Sequence, residues 1–302
     1  MNRPEYDMGK IIFDENAKLN LVLWGDPQVS CIYEPQRFMN FSAACEAVRD
    51  ADGPCDALLL AGDIAEFGME KEYDMAAACL AEAAGNTAHI LCASGNHDVR
   101  IRGYQKQLRR FRAFLSQVPH ALEPGYDHYY CAAEIKGYRF ILLGADRNSF
   151  ESAWLSKAQL AFLEKELTEA EKTGKPAFVL NHQPLKRTNG LPVTWLGRGS
   201  WRGQVGLQSD RLREILSSHG TVFYLTGHLH YGVSRYNVES AGRLHMIAAP
   251  TVGCPNHGET ADPAQGFVLS VYDDHVSGTA YNFAAAEPLD ESIANARFEI
   301  QL

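Results

Sequence analysis

At 302 residues, 46% of them hydrophobic, the chain can bury a large core as one domain or as two small ones. Its formal charge of −9 disfavours nucleic acid held through phosphate-backbone electrostatics, while a small phosphorylated ligand bound through metals stays compatible with it. No stretch has the apolar length of a membrane span, so no membrane partner is expected.

The first apolar run, Leu21–Trp24, has the continuous character of a strand buried on both faces and leads into Gly25-Asp26-Pro27-Gln28. Phe38, Phe41, Cys45 and Val48 then share one helical face. A second strand, Leu58–Ala61, leads into Gly62-Asp63, and Tyr73, Ala76, Ala77, Leu80 and Ala84 form the next helical stripe. The run His89–Cys92 precedes Gly95-Asn96-His97-Asp98, and Tyr104, Leu108, Phe111, Leu115 and Val118 mark a third helix. The clearest helix opens at Ser156, where Ser156 and Gln159 read as a capping box, and closes near Gly174 with Pro176 beyond. Ala177–Leu180 precedes Asn181-His182, a fifth helix is expected over 210–219, and Phe223–Leu225 precedes Gly227-His228-Leu229-His230.

After His230 the pattern changes. Gly232–Glu239, Arg243–Ala249, Gly266–Tyr272 and His275–Phe283 read as short strands separated by turn residues. No linker intervenes, so residues 1–302 are expected as one domain of two packed sheets with helices outside, 231–302 completing the second sheet. The connection 183–206, rich in Gly, Trp and Arg, is expected to be a substrate-side loop. Seven cysteines without a C-x-x-C pair, and a polar Met1–Lys10 without a signal-peptide core, fit a reducing cytoplasm. Cys45, Cys79 and Cys92 fit as buried small hydrophobes. Nothing in the sequence specifies an oligomeric state.

Five strands thus deliver Asp, Asn and His to one rim, the edge where α/β proteins build their sites. Any one such residue alone is ordinarily a cap, a turn or a satisfied surface group. Their joint arrival in order implies a metal site. Two divalent ions about 3.5–4 Å apart can clamp a phosphoryl group and share a bridging hydroxide. Carboxylates mixed with imidazoles suit Mn, Fe or Zn.

In order, the clusters Asp26-Pro27-Gln28, Gly62-Asp63, Gly95-Asn96-His97-Asp98, His182 and Gly227-His228-Leu229-His230 resemble the calcineurin-like metallophosphoesterase superfamily. Its pattern is D-x-H, G-D, G-N-H-[DE], a lone His and G-H-x-H. The resemblance implies an α/β four-layer α-β-β-α sandwich of two packed mixed sheets, helices outside. It also implies a dinuclear phosphoester hydrolase that uses two divalent metal ions. Position by position, it places the first ion on Asp26, Asp63, His230 and the residue at Gln28, and the second on Asp63, Asn96, His182 and His228. Asp63 would bridge the two. His97 would not ligate but would protonate the leaving oxygen, oriented by Asp98 or by Glu66.

Gln28 departs from the family pattern, which has His there. It offers a harder and weaker ligand favouring Mn or Fe, or it leaves the coordination sphere to bond water or substrate, or it marks a degraded site in a scaffold. Phe67 follows Glu66 where phosphoprotein phosphatases place an Arg, which counts against that branch. Ala61–Gly68 with Tyr73, and Gly227–Tyr231, are similar to the bacterial cyclic-nucleotide phosphodiesterase branch. The substrate expected is therefore a small phosphodiester or phosphomonoester, cyclic-nucleotide-like in preference; a nuclease or phosphoprotein phosphatase is the alternative. Substrate contacts are expected from Arg187, Arg198, Arg202, Trp195 and His257: guanidinium forks for phosphate oxygens, aromatic faces for a base.

Overall fold

The computed structural model describes residues 9–32, 34–125, 127–191, 203–254 and 264–302. Three parallel strands, β1 (Leu19–Trp24), β2 (Ala57–Leu60) and β3 (Ile90–Cys92), are joined by crossovers carrying α1 (Pro35–Arg49) and α2 (Glu70–Ala83). A four-residue helix, α3 (Asn96–Val99), and α4 (Tyr104–Leu115) follow. A hairpin, β4 (Cys131–Ile135) and β5 (Tyr138–Leu142), then opens the second sheet. That sheet continues in parallel through β6 (Ala177–Leu180) and β7 (Val222–Thr226), with α5 (Lys157–Glu171) and α6 (Ser209–Ser218) in the crossovers. The pair β8 (Val238–Ala241) and β9 (Leu244–Ala248) closes it, giving the order β4-β5-β6-β7-β9-β8.

Alternation along the strands explains the layering. Leu19, Leu21 and Leu23 meet Phe178, Leu180, Phe223 and Leu225 in a core between the sheets. Val22 and Trp24 turn the other way into the cluster that holds Phe41, Cys45 and Val48 of α1. Phe140, Phe178 and Phe223, on three neighbouring strands, stack in series at 5.0 and 5.3 Å. With α5 on β5 and α6 on β7, the result is two packed mixed sheets with helices outside.

The C-terminal segment corrects the expectation that 231–302 completes the second sheet. Only β8 and β9 join it; β10 (Gln265–Val271), β11 (His275–Asn282), β12 (Glu287–Pro288) and β13 (Arg297–Gln301) belong to the sheet of β1. There β10 pairs antiparallel with β1, from Leu19↔Val271 to Leu23↔Phe267. The reason is the edge of β1, which β2 leaves open on one side. A wholly buried strand cannot leave that row of N–H and C=O groups unpaired. The hairpin β4–β5 is a second departure, because its turn at Lys136 and Gly137, both with positive φ, carries no strong sequence signal.

At α5, Ser156 Oγ caps Gln159 N at 3.1 Å as expected, but the reciprocal half of the box is absent. Gln159 is buried and spends its amide on Gly144 N and O and on Asp146 instead. All seven cysteines are free, Cys45, Cys79 and Cys92 being buried. Among the described residues no helix is long and apolar enough to cross a membrane.

Candidate metal centre

The carboxyl ends of β1, β2, β3, β6 and β7 meet along one rim, and the residues that follow them converge there. Asp26, Gln28, Asp63, Asn96, His182, His228 and His230 are all buried. Two groups of donor atoms form: Asp26, Asp63 and His230, and Asp63, His182 and His228. Asp63 belongs to both. A carboxylate common to both groups could bridge two ions.

Backbone strain is concentrated at the same positions. Asp26, Gln28, Asp63, His228 and His230 all have left-handed φ, between 41° and 72°. Each such conformation costs on the order of 1–3 kcal/mol and persists only where the surroundings dictate it. Here they do: Gln28 N bonds Asp63 O at 2.9 Å, and His228 N bonds Asp26 Oδ2 at 2.9 Å. The glycines serve close approach as much as turning. A Cβ on Gly95 would lie 2.0 Å from Asp63 Oδ1, and one on Gly62 (φ +94°) 2.6 Å from His182 Nδ1.

The donor set fits divalent cations. His182 Nδ1 donates to the Ala61 carbonyl at 2.7 Å, which leaves its Nε2 as a lone-pair donor 3.1 Å from both Asp63 Oδ2 and His228 Nδ1. His230 Nε2 lies 3.2 Å from Asp26 Oδ1. Asn96 Nδ2 donates to Glu151 Oε2 at 3.0 Å, which leaves Asn96 Oδ1 buried without a hydrogen-bond partner. An acceptor-rich, buried cluster of this kind is costly unless a cation joins it.

Protons stand in for cations when no metal is bound. Burial works to raise the Asp63 carboxyl, but His182, His97 and His228 outweigh it and hold it well below the usual range. Burial works to lower His182, yet Asp63 and Asp26 lift it to about 9. Burial, with His182 beside it, drives His228 well below the ordinary imidazole value. His230 is opposed by burial and raised well above that value by Asp26. A metal must displace the His182 proton, so affinity for Mn²⁺ should climb between pH 6 and 9, up to about tenfold per pH unit for each proton released. Calorimetric titration of the chelator-treated protein in buffers of different ionisation enthalpy checks this; pH-independent binding without proton release would contradict it.

His97 stands beside the cluster rather than in it. Its Nδ1 donates to the Glu66 carbonyl at 2.8 Å and lies 3.3 Å from Glu66 Oε1, while Nε2 is 3.8 Å from Asp63 Oδ2. Burial lowers the imidazole's basicity, but Asp63 and Glu66 more than reverse this and favour the imidazolium. Of the two acids offered by the sequence, only Glu66 approaches His97. Asp98, the other candidate, accepts from the backbone of Gly95 at 2.8 Å, from Ile64 and Ala65, and from the Tyr73 hydroxyl at 3.0 Å. Burial and the Asp63 charge push its carboxyl up to about 7, against those donors.

Three further residues at the centre were not singled out from the sequence. Arg37, in the first turn of α1, sends Nη1 to Glu66 Oε2 at 2.6 Å. Arg100 places Nη2 3.0 Å from His97 Nδ1 and Nη1 3.0 Å from Glu151 Oε1. Glu151 thereby links Arg100 to Asn96. Only Arg100 was within reach of a motif, three residues after His97.

Of the expected substrate residues, Arg187 is exposed with φ 61°. Trp195, Arg198, Arg202 and His257 lie outside the described residues, as does the middle of the substrate-side loop, 192–202.

Two packed sheets with a buried Asp, Asn and His centre on their shared rim define a metal-dependent phosphoesterase. The chain belongs to the calcineurin-like phosphoesterase family, whose sequence model matches residues 19–232. A crystal structure of a dimetal phosphatase from Danio rerio is similar at 16% identity and TM-score 0.65, covering 90% of this chain and 98% of that one. The purple acid phosphatase PPD1 from yellow lupin (Lupinus luteus) seeds is similar at 14% identity and TM-score 0.64, covering 94% of this chain and 53% of that one. At these identities the likeness is one of fold. No curated protein matches in a sequence comparison.

Proposed function

We propose that the protein hydrolyses a small phosphodiester or phosphomonoester, with cyclic-nucleotide-like diesters preferred, using two divalent ions. The observation that carries this reading is Asp63, one carboxylate shared by two donor groups, with the His97–Glu66 pair beside it. Asp26, Asp63 and His230 would hold one ion; Asp63, Asn96, His182 and His228 the other. Mn, Fe and Zn all suit these donors. When bound, the ions supply Lewis acidity toward the phosphoryl oxygens and an activated water. His97 holds a proton at Nε2 for the departing oxygen, and Glu66 fixes its tautomer and ring plane through Nδ1.

Two sequence features favour a small substrate. The acidic chain disfavours a polyanion, and Phe67 occupies the position where phosphoprotein phosphatases use an Arg. The similarity of residues 61–68, with Tyr73, and of 227–231 to cyclic-nucleotide enzymes supports the preference for cyclic diesters; the Tyr73 hydroxyl itself donates to Asp98 inside the core.

A panel of 4-nitrophenyl phosphate, bis(4-nitrophenyl) phosphate, 2′,3′- and 3′,5′-cyclic nucleotides, a phosphopeptide and single-stranded DNA, each with Mn²⁺, tests the reading. Turnover of the small diesters, abolished by chelator, is the expected result. Turnover confined to phosphopeptide or DNA would move the protein to the macromolecular alternative. No turnover with both ions bound would make it a scaffold.

A further inference from the structure

The residue at Gln28 decides how the first ion is held, and its surroundings fix the amide's orientation. On one side, Gln28 Oε1 lies 3.4 Å from Arg37 Nη1; on the other, Nε2 lies 3.4 Å from Asp63 Oδ2. A guanidinium has only donors and an ionised carboxylate only acceptors. Each neighbour independently requires the amide to face it this way round: oxygen toward Arg37, NH₂ toward Asp63. A glutamine ligand would need the reverse, since only its oxygen can bind a metal. Arg37 is itself fixed, its side chain 10% exposed, with Nε bonded to Glu34 and Nη1 to Glu66 Oε2. The same guanidinium therefore contacts both the Gln28 amide oxygen and the acid behind His97.

We propose that Arg37 is a positioning residue that keeps Gln28 out of the first ion's coordination sphere and couples that site to the Glu66–His97 pair. The first ion then has three protein ligands, Asp26, Asp63 and His230, with positions open for water and substrate, as catalytic sites require. This rests on the two-ion reading but replaces the ligand role that the family resemblance gives position 28.

The test reads metal as well as rate. In calorimetric Mn²⁺ titrations, Gln28→Leu should still take two ions per chain, with both affinities within about tenfold of the native protein, the lower end of what lost outer contacts cost. Retention of only one ion, or a loss well beyond 100-fold at one site, would overturn the proposal. A crystal structure of the Mn²⁺-loaded native protein should keep Gln28 Oε1 on Arg37; Oε1 on the metal would overturn it equally. Arg37→Lys preserves charge but not the fork. It should retain both ions, lower kcat about tenfold with KM little changed, and move the limb of the pH–rate profile that His97 controls. An unchanged pH profile with full kcat would show that Arg37 is merely structural. Because ion counts need no substrate, failure here is distinguishable from failure of the proposed reaction.

Discussion

Replacement of Asp63 by asparagine is expected to empty both halves of the centre at once. Asp63 is the one residue common to the two donor groups, so its charge cannot be lost at one ion alone. Asparagine is the informative substitute because it keeps the shape and tolerates the left-handed φ of 53°, which alanine would adopt at a cost. The hydrogen bond from His97 N to Asp63 Oδ1, 2.8 Å, can be kept by the amide oxygen. In chelator the variant should still fold but melt lower, because the buried Asp63 carboxylate pairs with His182 at 3.1 Å, while metal is lost. Ions that supply several kcal/mol of transition-state stabilisation translate into a fall of about 10³–10⁴ in kcat/KM. Elemental analysis after desalting, beside a thermal melt, checks the variant. A protein that keeps two ions and most of its activity would remove Asp63 from the bridging role.

The second large effect is expected at His97. Its Nδ1 is committed to Glu66 and it lies outside both donor groups, so His97→Asn should leave two ions in place. Losing a positioned general acid costs about 10²–10⁴ in rate. The loss should depend on the leaving group, being greatest for alkyl and ribose oxygens and small for 4-nitrophenolate, which departs without a proton. A uniform loss across leaving groups would assign His97 to phosphate binding, and loss of metal would make it a ligand.

The candidate ligands and their convergence were legible because each is a local event. A short apolar run ends in a polar cluster, and the order of five such runs in the chain already places them on one rim. The helices at 35–49, 70–83, 104–115, 157–171 and 209–218 were legible for the same reason, through their own periodicity. What the sequence hid is long-range pairing. Nothing local tells β10 that its partner is β1, since the deciding fact is an open strand edge some 240 residues away. The choice between Glu66 and Asp98 was likewise undecidable, because it turns on which backbone amides fold under Asp98. Arg37 sits on a helix whose apolar stripe is ordinary, and its meaning appears only with Glu66 and Gln28 around it. Glu151 reaches Asn96 across 55 residues of chain with no motif to mark it. The left-handed φ values at Asp26, Gln28, Asp63, His228 and His230 carried no sequence signal either.

Two Mn²⁺ ions sharing the Asp63 carboxylate would be magnetically coupled. Electron paramagnetic resonance of the Mn²⁺-loaded protein, with ion content measured on the same sample, addresses it most directly. Two Mn²⁺ per chain with a spin-coupled spectrum, lost in Asp63→Asn, is the result expected. A single ion per chain, or two giving only isolated Mn²⁺ signals, would contradict it.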